Sequence, residues 1–267
     1  MTLTYRKIKS FFAQAFLVCL FTATTACSGP PPLIAHAGGG INGKSYTNSL
    51  EALELNYAKG HRLFECDFEW TSDGHLVLMH DWNKGFEALF GDPKPVPSLE
   101  GFLRLKMSGG LTQLSLRGLI EWLDGHRDAR IVTDVKRKNI EALTSIRDRY
   151  PEQLGRFIPQ IYSFSEYRIV RGLGYEDIIL TLYRTSATND EVVRFSGNNE
   201  LYAVTMPAPR AFSGLPGRLK AAGVFAYAHT VNNPGLRDRL FAAGVGGLYT
   251  DFMVPPASER EEVAGEK

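Results

Sequence analysis

From Leu33 onward, short apolar runs alternate with longer stretches whose apolar residues recur every three or four positions. The runs LIAHA (from Leu33), LFECDFEW (Leu63), RIVTDVK (Arg130), RFIPQIY (Arg156), DIILTL (Asp177), LYAVTM (Leu201), VFAYAHT (Val224) and GGLYTD (Gly246) have the length and content of strands. Between them SLEALELNYAKG, LRGLIEWLDGHRD, NIEALTSIRDRY and GLRDRLFAAG read as helices, several closed by the glycine that a helix C-terminus favours. Roughly eight strand–helix units in about 240 residues match the count and size of a (β/α)8 barrel of the TIM type, an α/β fold in a single domain. An open doubly wound sheet is the competing architecture. It would carry a glycine-rich phosphate loop after its first strand, and HAGGG at His36 lacks the G-x-G-x-x-G spacing.

The start of the chain breaks this pattern. Arg6, Lys7 and Lys9 precede the apolar run FFAQAFLVCLFTA, and TTAC ends at Cys27. A basic region, an apolar run and small residues predict a secretory signal over residues 1–26. Thr24-Thr25-Ala26-Cys27 resembles a bacterial lipobox, in which the cysteine becomes the lipidated N-terminus, although Thr24 stands where an aliphatic is usual. The alternatives are a plain signal peptide and a membrane-spanning anchor; the run of about 13 apolar residues is short of the ~20 that a spanning helix needs. Residues 27–32 read as a stiff tether, residues 33–255 as the barrel and residues 256–267 as a charged tail. The expected location is the bacterial cell envelope, on the periplasmic side or the cell surface, held to a membrane through the lipid on Cys27.

With Cys19 and Cys27 in the targeting segment, Cys66 is the one cysteine of the folded part and has no partner for a disulfide. Between Phe64 and Phe68 it reads as a small buried hydrophobe. The chain is 44% hydrophobic and 22% charged with a formal net charge of +1, which excludes a disordered chain and gives no bulk attraction for nucleic acid. Any anion must be recognised locally. Nothing in the sequence indicates a protein partner.

The second strand poses a chemical problem. Side chains alternate across a strand, so Glu65, Asp67 and Glu69 share one face and Phe64, Cys66 and Phe68 the other. Gathering like charges in a barrel interior costs several kcal/mol or forces protonation unless a cation neutralises them. Oxygen ligands suit a hard divalent ion, Ca²⁺ or Mg²⁺. An exposed edge paired with surface Lys or Arg explains the same acids equally well. Asp134 ends another strand, with Lys136 on the same face; at the catalytic rim of a barrel they could complete the metal set and meet an anion. Taken alone, they are also an ordinary Asp–Lys pair leaving a strand for a loop. His36 and His80 each close an apolar run beside these acids, and two imidazoles at neighbouring strand ends are what proton transfer to and from a phosphodiester requires. His61, His75 and His126 read as ordinary hydrogen-bonding histidines.

HAG at His36, YTNSLEAL at Tyr46, FECDFEWTSDGHLVLMHD at Phe64, TDVK at Thr133, AHTVN at Ala228 and GLYTD at Gly247 together resemble the glycerophosphodiester phosphodiesterase family, within the phospholipase C-like phosphodiesterase barrels. The resemblance runs in order through nearly the whole chain after the tether and is most specific from Glu65 to Asp81. It implies a TIM-type barrel and metal-assisted cleavage of a small or lipid-derived phosphodiester. It implies Glu65, Asp67 and Asp134 as metal ligands, with Asp134 where many relatives carry Glu. It makes His36 and His80 the acid–base pair and Lys136 a phosphate ligand.

The sequence departs from that family at Ala37, where an arginine usually follows the first histidine, and at Thr47 of Thr47-Asn48-Ser49, where a glutamate is usual. Losing the arginine removes a strong charge-assisted contact to phosphate; Lys44, Arg184 and Arg210 are candidates to restore the charge. His229 stands where an aromatic tryptophan is common. Three functions follow: a metal-dependent glycerophosphodiester phosphodiesterase, a phospholipase C- or sphingomyelinase D-like lyase releasing a cyclic phosphate, and a non-catalytic lipoprotein binding a phosphate ligand. Retention of both histidines and all three carboxylates argues against the third.

Overall fold

The computed structural model describes residues 30–91 and 95–256. The predicted signal segment with Cys27, and most of the charged tail, lie outside the described residues. Among the described residues there are nine strands: β1 Leu33–Ala35, β2 Leu63–Trp70, β3 Leu76–Leu78, β4 Arg130–Val135, β5 Phe157–Ile161, β6 Ile179–Thr181, β7 Ala203–Pro207, β8 Ala226–His229 and β9 Gly247–Thr250. All but β3 run parallel, in the order β1-β9-β8-β7-β6-β5-β4-β2, and β1 pairs with β2 through Ala35 and Phe64 to close the ring. The eight apolar runs thus become the eight staves of a TIM barrel, wrapped by helices. β3 lies antiparallel on the far end of β2, with Phe68 opposite Leu78.

Alternation along each stave sorts the residues into two shells. Ile34, Leu63, Val132, Ile158, Ile179, Ala203, Tyr227 and Tyr249 point inward and fill the floor of the barrel. Phe64, Cys66 and Phe68 point outward and are fully buried under the helices, Phe64 meeting the Trp122 ring edge-on at 5.3 Å. Burying each such side chain contributes about 1.5–3 kcal/mol. Glu65 and Asp67 share the inward face with Leu63 and stand above the apolar floor, towards the C-terminal ends of the strands.

HAGGG folds as a tight turn whose glycines make room for neighbours. A side chain on Gly39, which has φ 88°, would run into Asn56, and one on Gly40 into Phe252. Asn56 uses the space to donate to the carbonyls of Gly38 and Gly40. The Gly40 N–H donates to the Asp251 carbonyl at 2.6 Å, tying the loop after the first stave to the loop after the last.

Between β3 and the helix Leu116–Gly125 the chain makes an excursion that periodicity did not predict. Two short helices, Lys84–Phe90 and Leu99–Leu103, carry Phe86, Leu89 and Phe102 into a second small core with Trp82, Met107 and Ile41. At the other end of the barrel, Pro30–Pro32 lead into β1; Tyr227 Oη donates to the Pro31 carbonyl at 2.6 Å and Leu248 N to the Pro32 carbonyl at 2.8 Å. The chain therefore enters at the face opposite the acidic residues.

Candidate active site

The fold brings Glu65, Asp67 and Asp134 together at the C-terminal end of the barrel. Asp67 and Asp134 are register partners on β2 and β4, and one oxygen from each of the three carboxylates lies within 4.8 Å of the others. All three residues are buried. Each is held from a different direction. The backbone N–H of Ala37, which adopts left-handed φ 49°, donates to Glu65 Oε2 at 2.8 Å. Asn48 grips Asp67 with both ends of its amide, donating to Oδ2 at 2.8 Å and accepting from the Asp67 N–H at 3.0 Å. The phenols of Tyr162 and Tyr183 both donate to Asp134.

Lys136 compensates two of these charges. Lys136 Nζ lies 2.6 Å from Asp67 Oδ1 and 2.7 Å from Asp134 Oδ2. Burial works against the Asp134 charge, but Lys136 and the two phenols outweigh it and hold the carboxyl below its ordinary value. Glu65 fares differently: burial and the neighbouring Asp67 charge push it up to about 8. Glu65 Oε1 is buried without a hydrogen-bond partner. A buried carboxylate oxygen left unpaired within an all-oxygen cluster fits a hard divalent cation as its missing partner.

His36 follows β1 and points Nδ1 at Asp251 Oδ1, 2.9 Å away, with Nε2 3.9 Å from Glu65. Asp251 is itself fixed by the Asn232 side chain, which donates to Oδ2 at 2.6 Å and accepts from the Asp251 N–H at 2.8 Å. Burial opposes a charge on His36, yet the Asp251 hydrogen bond and the fields of Glu65 and Asp67 prevail and raise its pKa to about 9. His80 has the same kind of support: Nδ1 lies 2.7 Å from Asp81 Oδ2, and Asp81 is anchored by the N–H groups of Asn83 and Gly85. In each imidazole a carboxylate occupies Nδ1, which leaves Nε2 for proton transfer. The ring of Tyr46 meets both, at 4.6 Å from His36 and 4.9 Å from His80.

Beneath the cluster lies a small polar chamber of about 40 Å³, walled by Gln160, Thr181, Tyr183, His229 and Tyr249. Burial, followed by the His36 charge, lowers the His229 pKa to about 4, so this third imidazole is neutral and its buried Nε2 has no protein partner.

Not every acidic or basic residue of the expected set joins the cluster. Glu69 shares the inward face of β2 but accepts from Arg137 at 3.0 and 3.1 Å, the edge pairing that competed with metal binding in the sequence. Lys44 donates to Ser108, and Arg210 to Ala187 and Asn189. Arg184 is the one of the three cations that touches residues of the site, stacking over Tyr162 at 4.3 Å and Tyr183 at 5.0 Å. The supporting residues Tyr46, Asn48, Asp81, Tyr162, Tyr183, Asn232 and Asp251 had no role assigned from sequence. Five of them sit inside motifs that were legible: Tyr46 and Asn48 in YTNSLEAL, Asp81 at the end of FECDFEWTSDGHLVLMHD, Asn232 in AHTVN, and Asp251 in GLYTD.

The sequence profile of the Glycerophosphoryl diester phosphodiesterase family matches residues 40–144, the segment that holds Glu65, Asp67, His80, Asp134 and Lys136. Over those residues the chain is similar to that family. The barrel is similar to that of the glycerophosphodiester phosphodiesterase of Thermotoga maritima (TM-score 0.68, 18% identity, covering 90% of this chain and 100% of that one). It is also similar to a Glycerophosphoryl diester phosphodiesterase of Parabacteroides distasonis (TM-score 0.64, 18% identity, 90% of this chain and 88% of that one). A third similar structure is an Oleispira antarctica phosphodiesterase in complex with the product sn-glycerol-3-phosphate (TM-score 0.64, 18% identity, 89% and 97%). At these identities the likeness is one of fold. Within it, Ala37 and Asp134 depart from the family pattern to which the sequence was compared.

Proposed function

We propose that the protein is a metal-dependent phosphodiesterase acting on glycerophosphodiesters, with Glu65, Asp67 and Asp134 as ligands of a Ca²⁺ or Mg²⁺ ion and His36 and His80 as the acid–base pair. The observation that carries this reading is the convergence of three buried carboxylates beside two imidazoles, each backed by its own carboxylate. A protein that only binds a phosphate ligand has no use for two imidazoles oriented through Nδ1. A small phosphodiester as substrate agrees with the product held by the Oleispira antarctica relative.

When bound, the cation supplies charge to offset the phosphoryl oxygens as the leaving group departs. The protein does the rest. Lys136 adds a second positive charge beside the cluster and binds the phosphoryl group electrostatically. One histidine takes the proton of the attacking hydroxyl at Nε2, and the other, protonated at Nε2, delivers a proton to the departing alkoxide. Asp251 and Asp81 fix the tautomer and ring direction throughout. Where the substrate carries a hydroxyl next to the phosphate, that group is a competent nucleophile and yields a cyclic phosphate first; otherwise water attacks.

The test is ³¹P NMR of the purified protein with glycerophosphocholine, glycerophosphoinositol and lysophospholipid, each with Ca²⁺, Mg²⁺ or chelator. Metal-dependent products that disappear in His36→Ala and His80→Ala are expected. A cyclic signal selects the lyase route, an open phosphomonoester the hydrolytic one. Binding of sn-glycerol 3-phosphate without turnover of any ester would leave a phosphate-binding protein.

The N-terminal segment supports export and lipidation at Cys27. Incorporation of labelled palmitate by the wild type and not by Cys27→Ser checks this, and soluble release of the wild type from washed membranes would refute it.

A further inference from the structure

Tyr46 stands between the two imidazoles, edge-on to each. Its backbone is left-handed, with φ 58°, a conformation that a bulky L-residue adopts only when its surroundings enforce it. The ring nevertheless remains 41% exposed, so burial of apolar surface does not account for keeping it there. The residues that follow are tied down: Thr47, Asn48 and Ser49 are buried, Asn48 grips Asp67, and Ser49 caps the helix Leu50–Ala58. The loop is thereby rigid up to the residue that carries the phenol.

The ring centroid lies 4.6 Å from that of His36 and 4.9 Å from that of His80, and the charges of Asp251, Asp67, Glu65 and Lys136 act on the phenol. Burial and those carboxylates hold the phenol above its ordinary pKa, so it stays a neutral donor. The first stave offers the phosphoryl group no other side-chain donor after His36: Ala37 has only a methyl, and its N–H is already given to Glu65.

We propose that Tyr46 is a substrate-contacting residue whose phenol O–H donates to a non-bridging oxygen of the phosphoryl group held between His36 and His80. This rests on the phosphodiesterase reading above. A neutral donor at that place stabilises charge building on the phosphoryl oxygens without adding a cation whose charge would disfavour the protonated form of His36 or His80. The same ring keeps the two imidazoles apart, so one residue serves both spacing and binding.

The test is Tyr46→Phe in the full chain, which keeps the ring and removes the hydroxyl. With Ca²⁺ present, kcat/KM on glycerophosphocholine should fall about ten- to a hundredfold and the Kd for sn-glycerol 3-phosphate should rise about tenfold, as for a hydrogen bond to a charged group. Ca²⁺ affinity and Tm should stay at their wild-type values. Unchanged turnover and ester binding would overturn the proposal, as would faster turnover, which would make the hydroxyl an obstruction. Should the wild type bind the ester but not turn over the diester, the phosphodiesterase reading fails by itself, and the two ester affinities still decide whether Tyr46 binds phosphate. A wild type that does neither overturns both.

Discussion

The ammonium of Lys136 lies 2.6 Å from the carboxylate of Asp67, inside a cluster of three buried acids. The protein carries its own counter-cation at the place where a metal ion fits. Lys136→Met leaves the acids under-compensated, and breaking a buried pair in this way costs about 3–5 kcal/mol. The expected result is a marked fall in Tm in chelator, with a larger rise on adding Ca²⁺ than the wild type shows. Equal melts of the two proteins in chelator would mean that Lys136 does not carry the compensation.

Metal binding should release a proton. Glu65 is raised to about 8 when no metal is bound, first by burial and then by Asp67, so it is mostly protonated at neutral pH and must ionise to act as a ligand. Its folded value lies above its unfolded one, so its ionisation destabilises the metal-free fold as pH rises from about 4.5 towards 8. Ca²⁺ affinity should accordingly climb with pH until about 8 and then level off. Calorimetry in two buffers of different ionisation enthalpy measures the released proton; heats that do not depend on the buffer would contradict the assignment.

Asp251 holds His36, and Asp251→Asn should lower the His36 pKa and reduce kcat by about 10²- to 10⁴-fold, as expected when an imidazole loses its orienting carboxylate. The pH limb of kcat/KM that reports protonated His36 moves to lower pH. The same pair affects stability with a definite sign. Because His36 is raised from 6.5 to about 9, its contribution is complete below 6.5 and lost as pH climbs through 9. Chemical denaturation across that window should be less pH-dependent in Asp251→Asn than in the wild type.

Asp134 is one methylene shorter than glutamate, and the space beyond it is taken by Lys136, Tyr162 and Tyr183. Restoring the family's usual glutamate through Asp134→Glu should therefore overpack the site, costing about 1–3 kcal/mol and lowering turnover. A gain in activity would show that the two phenols do not fix the carboxylate position.

Much of this was legible in the sequence because the barrel writes itself in alternation: LFECDFEW puts its carboxylates on one face and Phe64 and Phe68 on the other whatever lies elsewhere in the chain, although alternation alone left open whether the acidic face was the interior or an exposed edge. The excursion after β3 was not, since Lys84–Phe90 and Leu99–Leu103 are too short to show a helical period. The second tier of the site was hidden for another reason. His36 and Asp251 are 215 positions apart, and Tyr162 and Tyr183 reach Asp134 from two other staves. Only closure of the ring makes them neighbours. Glu69 shows the converse: strand parity groups it with Glu65 and Asp67, but the strand end belongs to Arg137.

The chain enters the barrel through Pro30–Pro32, on the face opposite the acidic cluster, and is pinned there by Tyr227. Two residues, Ser28 and Gly29, separate Cys27 from Pro30, so the three steps from one to the other reach roughly 10 Å when extended. A lipid on Cys27 would therefore moor the molecule by its closed end and aim its mouth at the aqueous phase. An enzyme moored in that way meets molecules that have already left the bilayer, such as head groups stripped of their acyl chains, before it meets the lipids that carry it.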